Sequence, residues 1–508
     1  MESPQADYWK EAMDKEFSSL IENCTWKLEK KPKNRKELKS KWVFDLKSDI
    51  RDIVTRFKAR LCAVGSSQIH GIDFEETFSP TVRWESLRLF LSIAASKGAT
   101  FFPHQMDVDT AFLYGDIDKE IFMKQPEGYG TNPENLSCLL LKSLYGLKQA
   151  GMLWNKTIDK ALSEFGLERC EADPCIYVCK NLVLALSTDD ILISGLIDEI
   201  SKLKAFLCSK FSMKDLGEVE SYLNVQFENN LEGIYISQTK YVKQILEETQ
   251  MIDSNPTSTP MTKDLNDNSD PLPDPDMFRR IVCKLLYLSN VTRPDIAFSV
   301  HYLCRKFKNP SMTNFQQLKR ILRYLKGSPD KGLQMFTESS TKNEFKCFVD
   351  ADFASSPQSD PSDKIARKST SGFAIFHNRN LISWNSSKQH NVALSTMESE
   401  YYALSDACKE LLWIQRLFEQ IQPKTDHSSI IYEDNMSCIQ FIKRPGSFHK
   451  RSKHIDTRHH FVSDQFEKKF FALEHIPSND NIADMFTKPL HAPTFSKLYE
   501  KICQITRD

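Results

Sequence analysis

Apolar and charged positions alternate along Lys27–Arg60, where Trp42, Phe44 and Leu46, then Val54, Phe57 and Leu61, are interleaved with lysines and arginines. That pattern predicts the strands of a hairpin presenting its basic residues outward. Ser86–Ala95 (SLRLFLSIAA) reads as a buried helix. Leu182–Leu186 and Ile191–Ile193 flank the polar Ser187-Thr188-Asp189-Asp190, a strand–turn–strand pattern with acids at its tip. Asp264–Asp276 is acidic and carries three prolines, so an exposed linker with nothing to pack is expected there. Phe278–Phe307 and Asn314–Lys326 have helical patterns; the second carries Leu318, Ile321, Leu322 and Leu325 at helical spacing and stops at Gly327-Ser328-Pro329. The chain then changes character, with strands at Phe345–Val349 and Phe373–Phe376, a long helix near Ser395–Phe418 and a strand at Ile430–Tyr432.

With 508 residues, 40% of them hydrophobic, the chain is long enough for about three domains with real cores. No apolar run approaches the roughly 18 residues of a membrane span, so no membrane partner is expected. The opening MESPQADYWK is acidic and aromatic, unlike a secretory signal, and an intracellular protein is expected, in a cytoplasmic particle or the nucleus. The formal charge of −1 argues against a wholly basic nucleic-acid coat, yet it is unevenly spread. Lys27–Arg60 holds thirteen Lys or Arg against five Asp or Glu, a surplus of eight. The thirteen cysteines are scattered; Cys170, Cys175 and Cys179 lack a CxxC or a histidine at zinc-ligand spacing and read as reduced thiols.

Four acids stand out in the C-terminal part. Asp350 follows the apolar FKCFV. Ser395-Thr396-Met397-Glu398 fits a capping box, and from there Met397, Tyr401, Leu404, Cys408 and Leu411 mark an apolar stripe with Glu400 beside it. Asp434 follows IIYE and opens the helical run MSCIQFI, and Asp484 lies in the short helical NIADMFTK, stopped by Pro489. Taken singly, Asp434 and Asp484 are ordinary helix-start acids. Together the four suit a site for two hard divalent ions, which prefer carboxylate oxygens and clamp both sides of a phosphoryl displacement. A second set lies in the N-terminal half, where Asp107 leads into VDTAFL and Asp189-Asp190 occupies the hairpin tip.

The ordered series RFKARLCAVG (Arg56–Gly65), FEETFSPTVR (Phe74–Arg83), MDVDTAFLYGDI (Met106–Ile117), LYGLKQAGMLW (Leu144–Trp154), TDDILISG (Thr188–Gly195), TRPDIAF (Thr292–Phe298), DADFAS (Asp350–Ser355), RKSTSGF (Arg367–Phe373), STMESEYYAL (Ser395–Leu404), KHIDTRHHF (Lys453–Phe461) and IADMFTKPL (Ile482–Leu490) closely resembles the reverse transcriptase–ribonuclease H portion of copia-type long-terminal-repeat retrotransposon Pol polyproteins. The resemblance runs from about Tyr8 to Leu490. It implies an α+β and α/β multidomain fold, a right-hand polymerase of fingers, palm and thumb followed by a ribonuclease H-like mixed sheet. The implied divisions are fingers and palm at 1–255, the linker at 256–276, a helical thumb-like region at 277–335, the ribonuclease H-like unit at 343–491 and a tail at 492–508.

What the resemblance implies for function is an RNA-directed DNA polymerase with ribonuclease H activity. Asp107, Asp189 and Asp190 match the polymerase carboxylates, and Asp350, Glu400, Asp434 and Asp484 the ribonuclease H acids, each set holding two Mg²⁺, with Mn²⁺ as the alternative. Phe112 matches the ring under the incoming sugar, Gln149 a residue lining the nucleotide pocket, and Lys58 and Arg60 residues facing the triphosphate. His459 and His460 match a family position and are expected to be structural. The implied partners are an RNA template, a DNA primer, the RNA–DNA hybrid and deoxynucleoside triphosphates. Capsid, protease and integrase segments are absent from the sequence, which suggests a truncated polyprotein.

Several positions depart from the family pattern. Ser187-Thr188 precedes the acid pair where an aromatic and a hydrophobic residue are usual, Asp109 replaces a basic residue, Gly151-Met152-Leu153 a Pro-Arg segment, and Asn224 and Cys283 each a glycine. The alternative these departures raise is a remnant that binds nucleic acid without extending primers.

Overall fold

The computed structural model describes residues 5–48, 54–130, 136–263, 269–337, 343–353, 367–443 and 456–505. Helix α1 (Ala6–Glu22) lies across an antiparallel hairpin, Ser40–Ser48 with Val54–Ala63. The period of two sorts the hairpin's faces: the pairs Trp42–Leu61, Phe44–Ala59 and Leu46–Phe57 share one face, and α1 covers it by stacking Tyr8 on Phe57 at 5.2 Å and setting Trp9 edge-on to Phe44 and Phe57. Arg56, Lys58 and Arg60 therefore lie on the other face. A four-stranded sheet in the order Trp26–Lys30, Leu136–Leu140, Phe122–Met123, Glu37–Leu38 closes the base of this region.

A six-stranded sheet follows, ordered Met213–Glu218, His104–Val108, Asp190–Gly195, Leu182–Ser187, Ile176–Cys179, Glu168–Arg169. Helices α2 (Trp84–Ser96), α3 (Ala150–Phe165) and α4 (Ile197–Lys210) flank it. Every residue of α2 from Ser86 to Ala95 is buried. A helix buried all round needs cover on every side, and here the cover on the far side comes from the C-terminal sheet.

Helix α5 (Thr239–Glu248) precedes a helical block of α6 (Pro275–Val291), α7 (Ala297–Cys304) and α8 (Met312–Lys326). The pattern had suggested one helix over Phe278–Phe307, but Pro294 cannot supply the amide an uninterrupted helix needs, and a short 3₁₀ turn at Pro294–Ile296 separates α6 from α7. The expected linker also differs from expectation in its described part. Leu272 is buried and its amide donates to Pro310 O at 2.8 Å, while Asp274 caps α6 by accepting from Met277 N at 2.9 Å, with Pro275 at the first turn. Leu272 docks the segment, and beside it Asp270 O accepts from Met312 N at 2.9 Å. Part of this stretch, 264–268, lies outside the described residues.

The C-terminal region is a five-stranded mixed sheet, ordered Asn380–Lys388, Thr370–His377, Asn343–Asp352, His427–Glu433, Ala472–His475, its last two pairings parallel. Around it lie α9 (Thr396–Ile421), α10 (Met436–Lys443), α11 (Asp456–Glu467) and α12 (Ala492–Ile505). At the start of α9, Ser395 accepts from Glu398 N at 3.2 Å, and the Glu398 carboxylate accepts from Leu394 N and from Tyr402 Oη.

One continuous apolar core runs from α2 through α6–α8 to this sheet and α9. Arg88 pins the junction: its Nε donates to Ile382 O, its Nη1 to Asn290 O and Val291 O, and its guanidinium lies 4.1 Å from the Trp384 ring centre. A fully buried guanidinium is tolerated because these acceptors and Glu85, at 3.5 Å, replace water. Among the described residues no helix is long and apolar enough to cross a membrane, and the described cysteines are free thiols.

Candidate active sites

The first site is built by strand register. Asp107 on His104–Val108 is the direct cross-strand partner of Asp190, which opens the next strand, so the two carboxylates share one face. Asp189 sits in the two-residue turn of the hairpin, because Ser187 pairs with Asp190. Thr188 takes φ +56°, a left-handed conformation that is costly for a β-branched residue. The tip is held from outside: Trp154 Nε1 donates to Thr188 O at 2.6 Å, and Val108 N to Asp189 O at 3.0 Å.

Burial, reinforced by Asp189 and Asp107, pushes the Asp190 carboxyl up to about 6, although Gln105 Nε2 donates to its Oδ1 at 3.3 Å. Asp107 is raised too, by burial first and then by Asp189 and Asp109, with Lys214 opposing. Lys214 supplies the positive charge that position 109 does not. It is cross-strand from Asp107 on the other side, ion-pairs with Asp109, and brings Nζ to 3.7 Å from Asp107 Oδ2. The extra charge of Asp109 is thus matched by a lysine more than a hundred positions away, invisible to local reading.

A cleft of about 700 Å³ opens over Asp107, Asp109 and Asp189, lined also by Lys58, Arg60 and Tyr145. The Arg60 guanidinium lies 5.3 Å from the Tyr145 ring centre, and Phe112 packs edge-on beneath that ring at 4.8 Å. The neighbouring Gly146 has φ +89°, and a Cβ there would stand 2.1 Å from Ala63 O, so only glycine lets this loop dock on the hairpin base. Gln149 is placed differently from expectation. It is fully buried, its Oε1 accepting from Gln68 Nε2 at 3.0 Å and its Nε2 donating to Asp73 O at 2.8 Å. With its amide so engaged, it braces the loop behind the cleft and does not line it.

The second site lies where the mixed sheet meets α9. Asp350 comes from the central strand Asn343–Asp352, Glu400 from α9 and Asp434 from the end of His427–Glu433, and one carboxylate oxygen of each falls within 4.8 Å of the others. Glu400 is held well above the usual carboxylate range by burial and by Glu433, Asp350 and Asp434. Burial also raises Asp434, with Asp350 adding to it. Asp484 is brought to the edge of this cluster by a short 3₁₀ turn, Ile482–Phe486, whose start is fixed by Asn481: its Oδ1 accepts from Ala483 N and its Nδ2 donates to Val349 O. The turn packs against Gly372, directly cross-strand from Asp350, where a Cβ would fall 2.7 Å from Thr487 Cγ2.

Asp484, pushed up to about 7 by burial and then by Asp350, is not among the three converging acids but pairs with Lys488 at 2.7 Å. Lys488 Nζ also lies 3.7 Å from Asp350 Oδ2, and Thr487 Oγ1 donates to that same carboxylate oxygen. Although burial would lower its pKa, Asp350 and Asp484 together raise the Lys488 ammonium above its ordinary range.

Glu433 was not foreseen. It ends the strand IIYE fully buried, its Oε1 accepting from Asn435 N, its carboxyl raised well above the usual range by burial, with Asp434 and Asp350 adding. Its place as the last residue of an apolar strand, next to Asp434, was the available signal. Glu400 Oε2 and Glu433 Oε2 are buried with no hydrogen-bond partner among the described residues. Buried, mutually repelling carboxylates with unfilled oxygens are the donor set a hard divalent cation satisfies, so these residues fit such an ion.

Of the other departures, Asn224 sits at φ +60°, a conformation glycine adopts freely and asparagine tolerates. Cys283 is an exposed position on α6, where nothing in the structure requires glycine. The side chains of His459 and His460 lie outside the described residues.

Residues 23–263 match the family described as reverse transcriptase (RNA-dependent DNA polymerase). The chain is 36% identical over 503 residues to the retrovirus-related Pol polyprotein from transposon TNT 1-94 of Nicotiana tabacum, covering 96% of this chain and 37% of that protein. It is 30% identical over 318 residues to a putative transposon Ty5-1 protein of Saccharomyces cerevisiae, covering 60% of this chain and 100% of that one. The chain spans about a third of the length of the curated polyproteins it matches from end to end. Among solved structures, the foamy viral protease-reverse transcriptase dRH in complex with double-stranded DNA is similar in fold, with a TM-score of 0.51 at 11% identity, covering 92% of this chain and 69% of that one.

Proposed function

The chain belongs to the reverse transcriptase family, among the copia-type transposon Pol polyproteins, and on that premise we propose that it is an RNA-directed DNA polymerase carrying a second, ribonuclease H site. The observation that carries the polymerase reading is the register pairing of Asp107 with Asp190, with Asp189 in the adjoining turn, at the floor of a cleft whose other wall presents Lys58 and Arg60.

Asp107, Asp189 and Asp190 would hold magnesium, and Asp350, Glu400, Asp434 and Asp484 would do so in the second site, with Glu433 contributing a further buried carboxylate. Bound there, divalent ions supply activation of the attacking oxygen and stabilisation of the leaving one. The residues of the chain do the rest. Lys58 and Arg60 attract and orient a triphosphate, Tyr145 presents its ring to the sugar with Phe112 packed behind it, and the Trp154 bond to the turn holds Asp189 in place. In the second site Lys488 and Thr487 fix the Asp350 and Asp484 carboxylates, while the hybrid's phosphates approach over the sheet edge.

A second reading, nucleic-acid binding without primer extension, is favoured by Ser187. It stands cross-strand from Asp190, where a tyrosine would support the primer end, and small misplacements of a reacting hydroxyl are costly in rate. Mg²⁺-dependent primer extension on an RNA template, beside cleavage of the RNA in a hybrid, separates the two. Extension no greater than that of Asp189→Asn overturns the polymerase reading, and a severalfold gain with Ser187→Tyr would locate the defect. Cleavage that persists in Asp434→Asn overturns the second-site reading.

A further inference from the structure

The hairpin that carries Lys58 and Arg60 is two-stranded, so one edge of Val54–Ala63 faces no further strand. Outward amides recur along such an edge at every second residue, and two of them are met from elsewhere. Ala63 N donates to Tyr145 O at 2.7 Å, and Leu61 N donates to Glu16 Oε1, on α1, at 3.2 Å. The bond to Leu61 fixes the strand immediately beside Arg60, whose guanidinium rests near the Tyr145 ring.

Glu16 is half-buried and lines the same cleft as Asp107, Asp189, Lys58 and Arg60. Burial raises its carboxyl, while the Leu61 amide, Arg60 and Lys58 oppose that rise, so both cations lie within its electrostatic reach. Lys58 also acts on Asp107. The cations therefore stand between an acid on α1 and the acids of the six-stranded sheet. Glu22 lines the cleft as well, but it is exposed and water screens it. An edge amide needs only an acceptor, which an uncharged glutamine supplies equally. The charge at position 16 does something further: it lowers the net positive field offered to an incoming polyphosphate. A polymerase must release pyrophosphate after each addition, and attraction shared by substrate and product slows that release without speeding the chemistry. We propose that Glu16 tunes the triphosphate site, positioning Arg60 through Leu61 while its charge weakens the hold of Lys58 and Arg60 on triphosphate and pyrophosphate.

This inference rests on the proposed function, since it needs a triphosphate in the first site, and the two fail differently. If the unaltered chain binds neither a deoxynucleoside triphosphate nor a primed RNA template, the functional reading fails and this inference falls with it. If it binds both but Glu16 variants bind the triphosphate equally well, only this inference fails. The test is calorimetric titration of the full chain with a deoxynucleoside triphosphate and with pyrophosphate, in Mg²⁺, so that no turnover is needed. Glu16→Gln, Glu16→Ala and Glu11→Gln are compared with the unaltered chain, with thermal unfolding of each. Glu16→Gln keeps an acceptor for Leu61 N and loses the charge, so both ligands should bind about fivefold more tightly at an unchanged unfolding temperature. Glu16→Ala loses the brace as well, and its gain should be smaller. Glu11, an exposed acid earlier on the same helix, carries the same charge, and Glu11→Gln should leave both affinities unchanged. Unchanged or weaker binding in Glu16→Gln overturns the proposal, as does an equal gain in Glu11→Gln, which would assign the effect to net charge. A gain in Glu16→Ala as large as that in Glu16→Gln overturns the positioning of Arg60 through Leu61.

Discussion

The two carboxylate sites use the same residue type in opposite settings. In the first, Asp107 is 35% exposed at the floor of an open cleft, and its neighbours come from paired strands of one sheet. In the second, Asp350 is 4% exposed, and its partners come from a helix, a parallel strand end and a 3₁₀ turn. Water can moderate the repulsion in the cleft, whereas inside the mixed sheet it cannot, so Glu400 and Glu433 are driven far from their usual range while Asp190 moves only to about 6. Each site nonetheless carries a lysine 3.7 Å from its central aspartate, Lys214 in one and Lys488 in the other. The lesson is that an acid cluster carries part of its own counter-charge in either setting, and that burial sets how much this charge is worth.

The largest expected effect separates the sites outright. Asp434→Asn should lower hybrid-RNA cleavage by about 10³-fold while leaving primer extension unchanged, and Asp189→Asn the reverse; steady-state assays of both activities on each variant decide it. Equal loss of both activities in either variant would mean that the sites are not independent.

Next comes the electrostatic cost of burial. A carboxyl whose folded pKa lies above its unfolded value binds more protons when folded, so its stabilising contribution is greatest at low pH and is lost as pH rises through the folded value. With Asp484 at about 7 and Asp190 at about 6, the metal-free protein should lose stability between about pH 4 and pH 7. The loss should be on the order of a few kcal/mol at the second site and smaller at the more open first site. Denaturant titration in chelator across that range measures it, and millimolar Mg²⁺ or Mn²⁺ should flatten the curve. Glu400→Gln should raise metal-free stability by about 1–2 kcal/mol while removing hybrid cleavage. Unchanged or lower stability in chelator would show that the cluster is not repulsive.

The smallest contrast concerns the lysines. Lys488→Met should cost about 1–3 kcal/mol of metal-free stability, since it leaves two acids short of their shared cation. Lys214→Met, at a position 46% exposed, should cost less than about 1 kcal/mol. Equal costs would break the argument that burial sets what the counter-charge is worth.

Much of this was legible along the chain because it depends on local periodicity. The hairpin of alternating apolar and basic residues, the acid-tipped turn between two apolar runs and the buried Ser86–Ala95 helix are all short-range patterns, and they appear as such. The break at Pro294 and the docking of Leu272 were also written in the sequence, but a longer apolar pattern and an acidic, proline-rich context masked them. Gln149 shows the limit of carrying a role over by resemblance alone, because whether a side chain faces the cleft or supports it depends on Gln68 and Asp73, distant in sequence.

The sequence by itself determined the residue types, their order and the periodicities that make strands and helices, since these follow from backbone geometry within a few residues. Only the tertiary structure decided the counter-charges. It set Lys214 against Asp109 and Lys488 between Asp350 and Asp484. Coulomb energies and desolvation depend on distance and burial in space, and neither can be read from separation along a chain.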